Sequence, residues 1–211
     1  MQYVAFDIGN VLMHVDFSKF YDAMNKYYGI TDDEIADFID SIQGLQNLGI
    51  MSIRKFLELK FPDTDFYEPD PTHLENAWNS AIYPCDTMLG FISDLRSSNV
   101  KIALLSNIGP EHANHLRKTY PYLVQDCIEH FSCEVGAMKP NKLFYQSFLL
   151  DHKEFSGCVY LDDRPENVIA GNDYKFNAIN FDLYTYSQCC NCKNINKNLE
   201  NKLKDIKTKI L

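Results

Sequence analysis

The chain has 211 residues, 45% of them hydrophobic and 23% charged, a composition suited to a globular fold with its own buried core. Its 29 acidic residues outnumber 20 Lys and Arg, and the formal net charge of -9 argues against nucleic acid as a partner, because phosphate backbones select basic surfaces. A small phosphorylated molecule stays compatible, since its site needs only local positive charge.

The opening "MQYVAFD" lacks the basic and long apolar regions of a signal peptide. No segment reaches the length of about 18 uncharged apolar residues that would suggest a membrane span. The 7 cysteines are odd in number and scattered. Together these features predict a cytoplasmic protein with reduced thiols and no membrane contact. Monomer and homodimer both stay open.

In chain order, "YVAFD" (3–7) is an apolar run that stops at Asp7, with Gly9 and Asn10 just beyond. From about residue 15 to 83 the pattern is helical. "DFSKFYDAMNKYYG" runs from an Asp start to a Gly stop, with Asp16 placed as a cap, and "TDDEIADFIDSI" opens on a Thr-x-x-Glu capping box. "SIRKFLELKF" and "PTHLENAWNSAI" follow, separated by the turn-rich "PDTDFYEPDP". Met88, Leu89, Phe91, Ile92 and Leu95 then share one helical face before "KIALLSN" (101–107). "KLFYQSFLL" precedes "GCVYLDD" (157–163), and "PENVIAGNDY" leads on to "NAINFD" (177–182).

The four short runs lack alternation, as expected of parallel strands covered on both faces. The fold class predicted is α/β, with a Rossmann-like parallel sheet core over 1–14 and 84–190 and a helical cap insertion over 15–83. In the C-terminal 191–211, Ile195, Leu199, Leu203, Ile206 and Ile210 recur at helical spacing. They predict an amphipathic helix docked on the core.

In such folds ligands bind at the carboxyl edge of the sheet, where the polar residues gather. Asp7, Ser106-Asn107, Lys139 in "EVGAMKPNKLF" and Asp162-Asp163 in "VYLDDRPEN" would all meet there. Singly, each is an ordinary turn former or cap. Jointly, the acids would repel unless a cation sat among them, and hard oxygen ligands suit Mg²⁺. A lysine and a hydroxyl beside them supply what a phosphoryl group needs, and a free carboxylate could attack it.

"FDIGNVL", "LLSN", "EVGAMKP" and "YLDDRPEN" resemble, in order and spacing, the four motifs of the haloacid dehalogenase-like (HAD) hydrolase superfamily. The helical insertion is similar to that family's small cap, and the Asp-x-Gly-Asn-Val opening is similar to bacterial α-D-glucose 1-phosphate phosphatases. The resemblance implies an Mg²⁺-dependent phosphatase for a small phosphorylated substrate. Asp7 would be the nucleophile, and Gly9 would offer its carbonyl to the metal. Ser106 and the amide of Asn107 would hold the phosphoryl oxygens, with Lys139 pairing them and steadying Asp7. Asp163 would be a direct metal ligand, while Asp162 would bind through water or orient Lys139. A dehalogenase has no use for the paired acids, and a non-catalytic phospholigand sensor has no use for the nucleophile.

One departure stands out. Most phosphatases of this superfamily carry a second Asp two residues past the nucleophile as general acid and base, and here that slot is Gly9. Such help is worth ~10² to 10⁴ in rate. An anomeric or acyl leaving group would need it least. His14 could stand in as base or be an ordinary linker residue. Trp78 either reaches the substrate or packs the cap, and Arg164 either touches phosphate or lies at the surface. Cys189, Cys190 and Cys192 form a tight thiol group that a structural metal would need a further ligand to use.

Overall fold

The structure, a computed structural model, describes residues 1–66, 70, 72–186 and 197–211. The first apolar run forms β1 (Gln2–Phe6), in which Val4, Ala5 and Phe6 are fully buried. β2 (Met13–Val15) then leads into helices: α1 (Ser18–Ala23) with a π-helical continuation (Met24–Tyr28), α2 (Asp32–Asn47), α3 (Ile53–Lys60) and α4 (His73–Asn79). Asp16 accepts a hydrogen bond from the Ser18 N–H, and Gly29 ends the first helical stretch at φ 67°, a conformation glycine adopts without strain. The capping box forms at α2, where the Thr31 N–H donates to Glu34 Oε2 at 2.9 Å.

The chain returns through β3 (Ile82–Pro84), antiparallel to β2 with His14 opposite Tyr83. This pair corrects the expectation of a purely helical 15–83. Strands of three residues carry too little period to be read from sequence. Between them, Phe20, Phe38, Ile42, Leu57 and Trp78 form an apolar cluster drawn wholly from the insertion.

Beyond β3 come α5 (Asp86–Ser97), β4 (Val100–Ser106), α6 (Pro110–Thr119), α7 (Pro121–Val124), β5 (Cys127–Phe131) and α8 (Ser132–Val135). Then follow α9 (Lys142–Asp151), β6 (Val159–Asp162), α10 (Pro165–Asp173), β7 (Asn177–Asn180), α11 (Leu183–Tyr186) and α12 (Lys197–Ile210). Five strands form one parallel sheet in the order β5-β4-β1-β6-β7. The fold is therefore α/β with a parallel sheet between helices, as the apolar runs predict.

β5 is the strand that the sequence reading lacks. Its "CIEHF" carries Glu129 and His130, so it shows no apolar run. Glu129 pairs with Arg117 at 2.6 Å, and buried His130 contacts the Phe144 carbonyl at 2.9 Å through Nε2. Tertiary partners make this polar segment a strand, not its own composition.

One face of the sheet packs Val4, Phe6, Leu104 and Leu161 against α5 and α12, and the other packs Ala5, Ala103 and Tyr160 against Phe144 and Phe148 of α9. α12 buries Leu199, Leu203, Ile206 and Ile210. Ile195 and the cysteines at 189, 190 and 192 lie outside the described residues. Among the described residues, no helix is long and apolar enough to cross a membrane.

Candidate active site

Register brings the polar strand ends together. Phe6 lies opposite both Leu104 and Leu161, so Asp7, Ser106 and Asp162 emerge at the same edge of three neighbouring strands. The Asp7 N–H donates to the Leu161 carbonyl at 2.8 Å, which ties the residue to β6 as it leaves the sheet. Asp7, Ser106, Lys139 and Asp162 are all buried.

Lys139, in the loop before α9, spends each ammonium hydrogen on a fixed acceptor. Nζ lies 2.7 Å from the Leu105 carbonyl, 2.7 Å from Asp162 Oδ2 and 2.9 Å from Asp7 Oδ1. Burial would lower its pKa, but the charges of Asp7 and Asp162 outweigh burial, so the net direction is upward and Lys139 stays charged. Asn107 clamps the same loop from both sides: its Nδ2 donates to the Lys139 carbonyl and its Oδ1 accepts the Lys139 N–H, each at 2.8 Å.

Asp162 has no acceptor position to spare. Oδ2 accepts from Lys139 and from the Tyr160 hydroxyl, and Oδ1 accepts from the Arg164 N–H and Asn167 Nδ2, both at 2.9 Å. Burial pushes its pKa up, yet Lys139 and these donors pull it below the ordinary carboxylate value. Such a group orients Lys139; it has little left for a cation. Asp163 differs: it accepts from Asn10 Nδ2, 3.2 Å from Oδ2. Burial first, then the charge of Asp7, raise its pKa to about 6.

Carboxylate oxygens of Asp7, Asp162 and Asp163 lie within 4.8 Å of one another. The pKa of Asp7 is also raised, mainly by burial and only partly offset by Lys139. One lysine does not balance three acids at this spacing, so the donor set fits a hard divalent cation held by Asp7 and Asp163. The Gly9 carbonyl is the third atom that the motif resemblance assigns to it.

Above the edge, the insertion closes a cavity of about 420 Å³ whose walls include Asp7, Gly9, Ser106, Lys139 and Asp163 below and Phe17 and Trp78 above. Hydrogen bonds tie the insertion to the core. Ser132 Oγ donates to the Asn47 carbonyl at 2.6 Å, Gln46 Nε2 donates to Glu111 at 3.1 Å, and the Ile53 N–H donates to the same carboxylate at 3.0 Å. Trp78 stacks on His112 with ring centroids 5.0 Å apart and planes at 4°, and His112 Nε2 donates to the Trp78 carbonyl at 3.0 Å. Burial lowers the His112 pKa to about 4, which keeps the ring neutral.

Gly9 lies on the cavity wall, and a Cβ there would meet Val15 Cγ2 at 3.2 Å. The slot of the missing side chain is narrowed by a valine. His14 sits elsewhere: it stacks on Tyr83 at 5.0 Å and meets the edge of Tyr184, outside the cavity wall. Arg164 reaches the wall, but its guanidinium pairs with Glu166 at 2.6 Å. Sequence reasoning missed Asn10, Tyr160, Asn167, Ser132, Glu111 and His112 as site or clamp residues. Asn10, Tyr160 and Asn167 stood within the quoted motifs, and polarity beside a metal acid was their sole signal.

No family model matches the chain, and no curated protein matches it by sequence. Its fold is the α/β fold of HAD-family enzymes. A HAD family enzyme from Bacteroides thetaiotaomicron, in complex with magnesium and inorganic phosphate, is 19% identical with a TM-score of 0.72, over 85% of this chain and 93% of that one. A protein described as a predicted HAD-like family hydrolase, from Porphyromonas gingivalis, is 19% identical with a TM-score of 0.72, over 86% and 91%. The L-2-haloacid dehalogenase from Xanthobacter autotrophicus with chloropropionic acid covalently bound is 17% identical with a TM-score of 0.57, over 85% and 77%.

Proposed function

We propose that this chain is a Mg²⁺-dependent phosphatase that hydrolyses a small phosphorylated metabolite through an aspartyl phosphate on Asp7. The observation that carries this reading is a group of three acids, Asp7 and Asp162 buried and Asp163 half-buried, with one lysine locked between the two buried ones. The fold neighbour that binds magnesium and phosphate supports it.

Bound between Asp7, Asp163 and the Gly9 carbonyl, Mg²⁺ would offset negative charge and act as a Lewis acid toward a phosphoryl oxygen. Lys139 holds Asp7 in place and faces the same oxygens, and Ser106 with the Asn107 amide completes the cradle. An Asp7 oxygen attacks phosphorus, the bond from phosphorus to the leaving oxygen breaks, and that oxygen takes up a proton. Water then attacks the phosphorus of the acyl phosphate, phosphate departs, and the Asp7 carboxylate is restored.

With Gly9 hemmed by Val15, position 9 carries no side chain to protonate the leaving group. The reading therefore favours leaving groups stable without early protonation, namely the anomeric oxygen of a sugar 1-phosphate or an acyl oxygen. Wild-type protein with Mg²⁺ is expected to hydrolyse an aryl phosphate and acetyl phosphate, and a hexose 1-phosphate faster than its 6-phosphate isomer. Asp7→Asn should abolish all of these reactions. Phosphate binding without turnover would favour the sensor reading. Release of halide from a 2-haloacid without metal would favour a dehalogenase.

A further inference from the structure

We infer that Ser132 is a positioning residue: its hydroxyl ties the loop 106–109 to the insertion, so that docking of the insertion and binding of a phosphoryl group strengthen each other. The inference rests on the phosphatase reading for the role of Ser106 and the Asn107 amide, and adds what holds them in place.

Between β4 and α6 the chain has three residues, and each is held by a different neighbour. Asn107 spends its side chain on the Lys139 loop. Ile108 gives its N–H to Ser132 Oγ at 3.0 Å. Gly109 lies against Gln46 of α2, where a Cβ would collide with the carboxamide. Gln46 has little room to yield, being 3% exposed and held through Nε2 by Glu111. Asn107 and Ile108 also line the cavity, so whatever fixes this backbone fixes the phosphoryl cradle.

Ser132 stands where these holds cross. Register places Phe131 beside Ser106, so Ser132 follows directly on the partner of a cradle residue. It is fully buried and has one hydroxyl proton to give. That proton goes to the Asn47 carbonyl of the insertion at 2.6 Å, while the Ile108 carbonyl lies farther away at 3.4 Å. Two hydrogen bonds thus run in series from the Ile108 N–H, through Oγ, to the insertion. If the insertion lifts, Asn47 leaves and the Ile108 carbonyl stays, so the hydroxyl turns back onto the loop. The loop therefore has one set of bonds with the insertion docked and another with it lifted.

The rest of the seat is equally close. Gly49, at φ 70°, brings the insertion against the corner between β5 and α8, where a Cβ would lie 2.5 Å from the Cys133 carbonyl oxygen. Glu111, in the first turn of α6, takes both Gln46 Nε2 and the Ile53 N–H. Residues 46–53 thus bear on 108–111 and 132–133, the segments that bracket the cradle's backbone. Such linkage is reciprocal: by whatever factor phosphate tightens docking, docking tightens phosphate.

Trp78 is the single tryptophan, and it stacks on His112 across the seam between insertion and core, so acrylamide quenching of its emission reports docking. Quenching and the Kd for inorganic phosphate are measured with Mg²⁺ in wild type, Ser132→Ala and Glu111→Ala. Glu111 lies outside the cavity wall, so its effect on phosphate travels through α6 and the insertion. In each folded variant the Kd should rise about fivefold, the size expected for one lost hydrogen bond. Trp78 should be quenched more strongly than in wild type, and saturating phosphate should reverse the difference. Glu111→Ala carries the test if Ser132→Ala does not fold. An unchanged Kd in the folded variants would overturn the inference. A raised Kd with quenching that phosphate does not alter would also overturn it, because Ser132 would then support the loop without the insertion. Wild type that binds phosphate in this linked way but leaves acetyl phosphate intact would remove the phosphatase reading and leave the inference standing. Wild type that neither binds phosphate nor turns over acetyl phosphate would remove both.

Discussion

Asp162 and Asp163 are adjacent in sequence and have opposite surroundings, so substitution should separate their roles. Asp162 accepts from four donors and has its pKa held down, whereas burial and the Asp7 charge raise that of Asp163 to about 6. Asp162→Asn breaks a buried ion pair and should cost about 3–5 kcal/mol of stability. Its kcat should fall about 100-fold, the lower range for loss of a positioned group. Asp163→Asn removes an acid that its neighbours disfavour, so metal-free stability should hold or rise. Its half-saturating Mg²⁺ concentration should rise about tenfold or more, at least the effect of losing an outer-shell partner. Thermal unfolding without Mg²⁺ and activity titrated with Mg²⁺ check both, and identical responses would refute the division of labour. The five strand-end residues were legible because each closes an apolar run. Asn10 and Tyr160 were not, because their roles depend on partners 153 and 2 residues away that only the folded register aims at them. Asn10 adds a left-handed backbone at φ 53°, which Asn tolerates better than most side chains.

At the scale of elements, the start of α6 is where core and insertion are joined, through Glu111 and His112. Buried His112 has its pKa lowered from the ordinary 6.5 to about 4, chiefly by desolvation. An unfolded chain takes up this proton as pH falls through 6.5, and the folded one only near 4. Between those values the unfolded state binds more protons, so stability drops as pH falls across that window and levels off below it. The gap corresponds to roughly 3 kcal/mol, and above pH 6.5 the term vanishes. His112→Gln keeps a donor for the Trp78 carbonyl but cannot titrate. Wild type should therefore lose roughly 3 kcal/mol more than the variant between pH 7 and pH 4 in chemical denaturation. Other histidines and the site acids titrate in both proteins, so parallel pH profiles would show that His112 is not buried as described. Sequence gave α2 its start, through Thr31 and Glu34, because a capping box is local. It gave no sign of β5, β2 or β3, whose pairing is set by distant strands.

Across the whole molecule, the chemistry and the stability draw on different ends of one sheet. Asp7, Ser106 and Asp162 occupy its carboxyl edge, whereas the C-terminal end of α12 lies at the opposite edge, where Lys209 and Ile210 border a surface pocket with Met1 and Gln2. The apolar spacing of Leu199, Leu203, Ile206 and Ile210 was readable as a helix stripe. The face it covers was not, since a stripe of this kind fits any apolar surface of matching width. In the folded chain it seals the cluster that includes Phe91, Leu95 and Val4. Ile206 is 1% exposed, so Ile206→Ala should cost about 2–5 kcal/mol through lost burial and the cavity left behind. That is a large share of the roughly 5–15 kcal/mol by which a domain of this kind is stable. The carboxyl edge keeps its register in the variant, so kcat/KM measured well below the melting transition should match wild type while the midpoint of unfolding drops. Substrate turnover and calorimetry on the same preparations test the separation. A fall in kcat/KM at temperatures where the variant is fully folded would mean that α12 reaches the catalytic edge through the sheet.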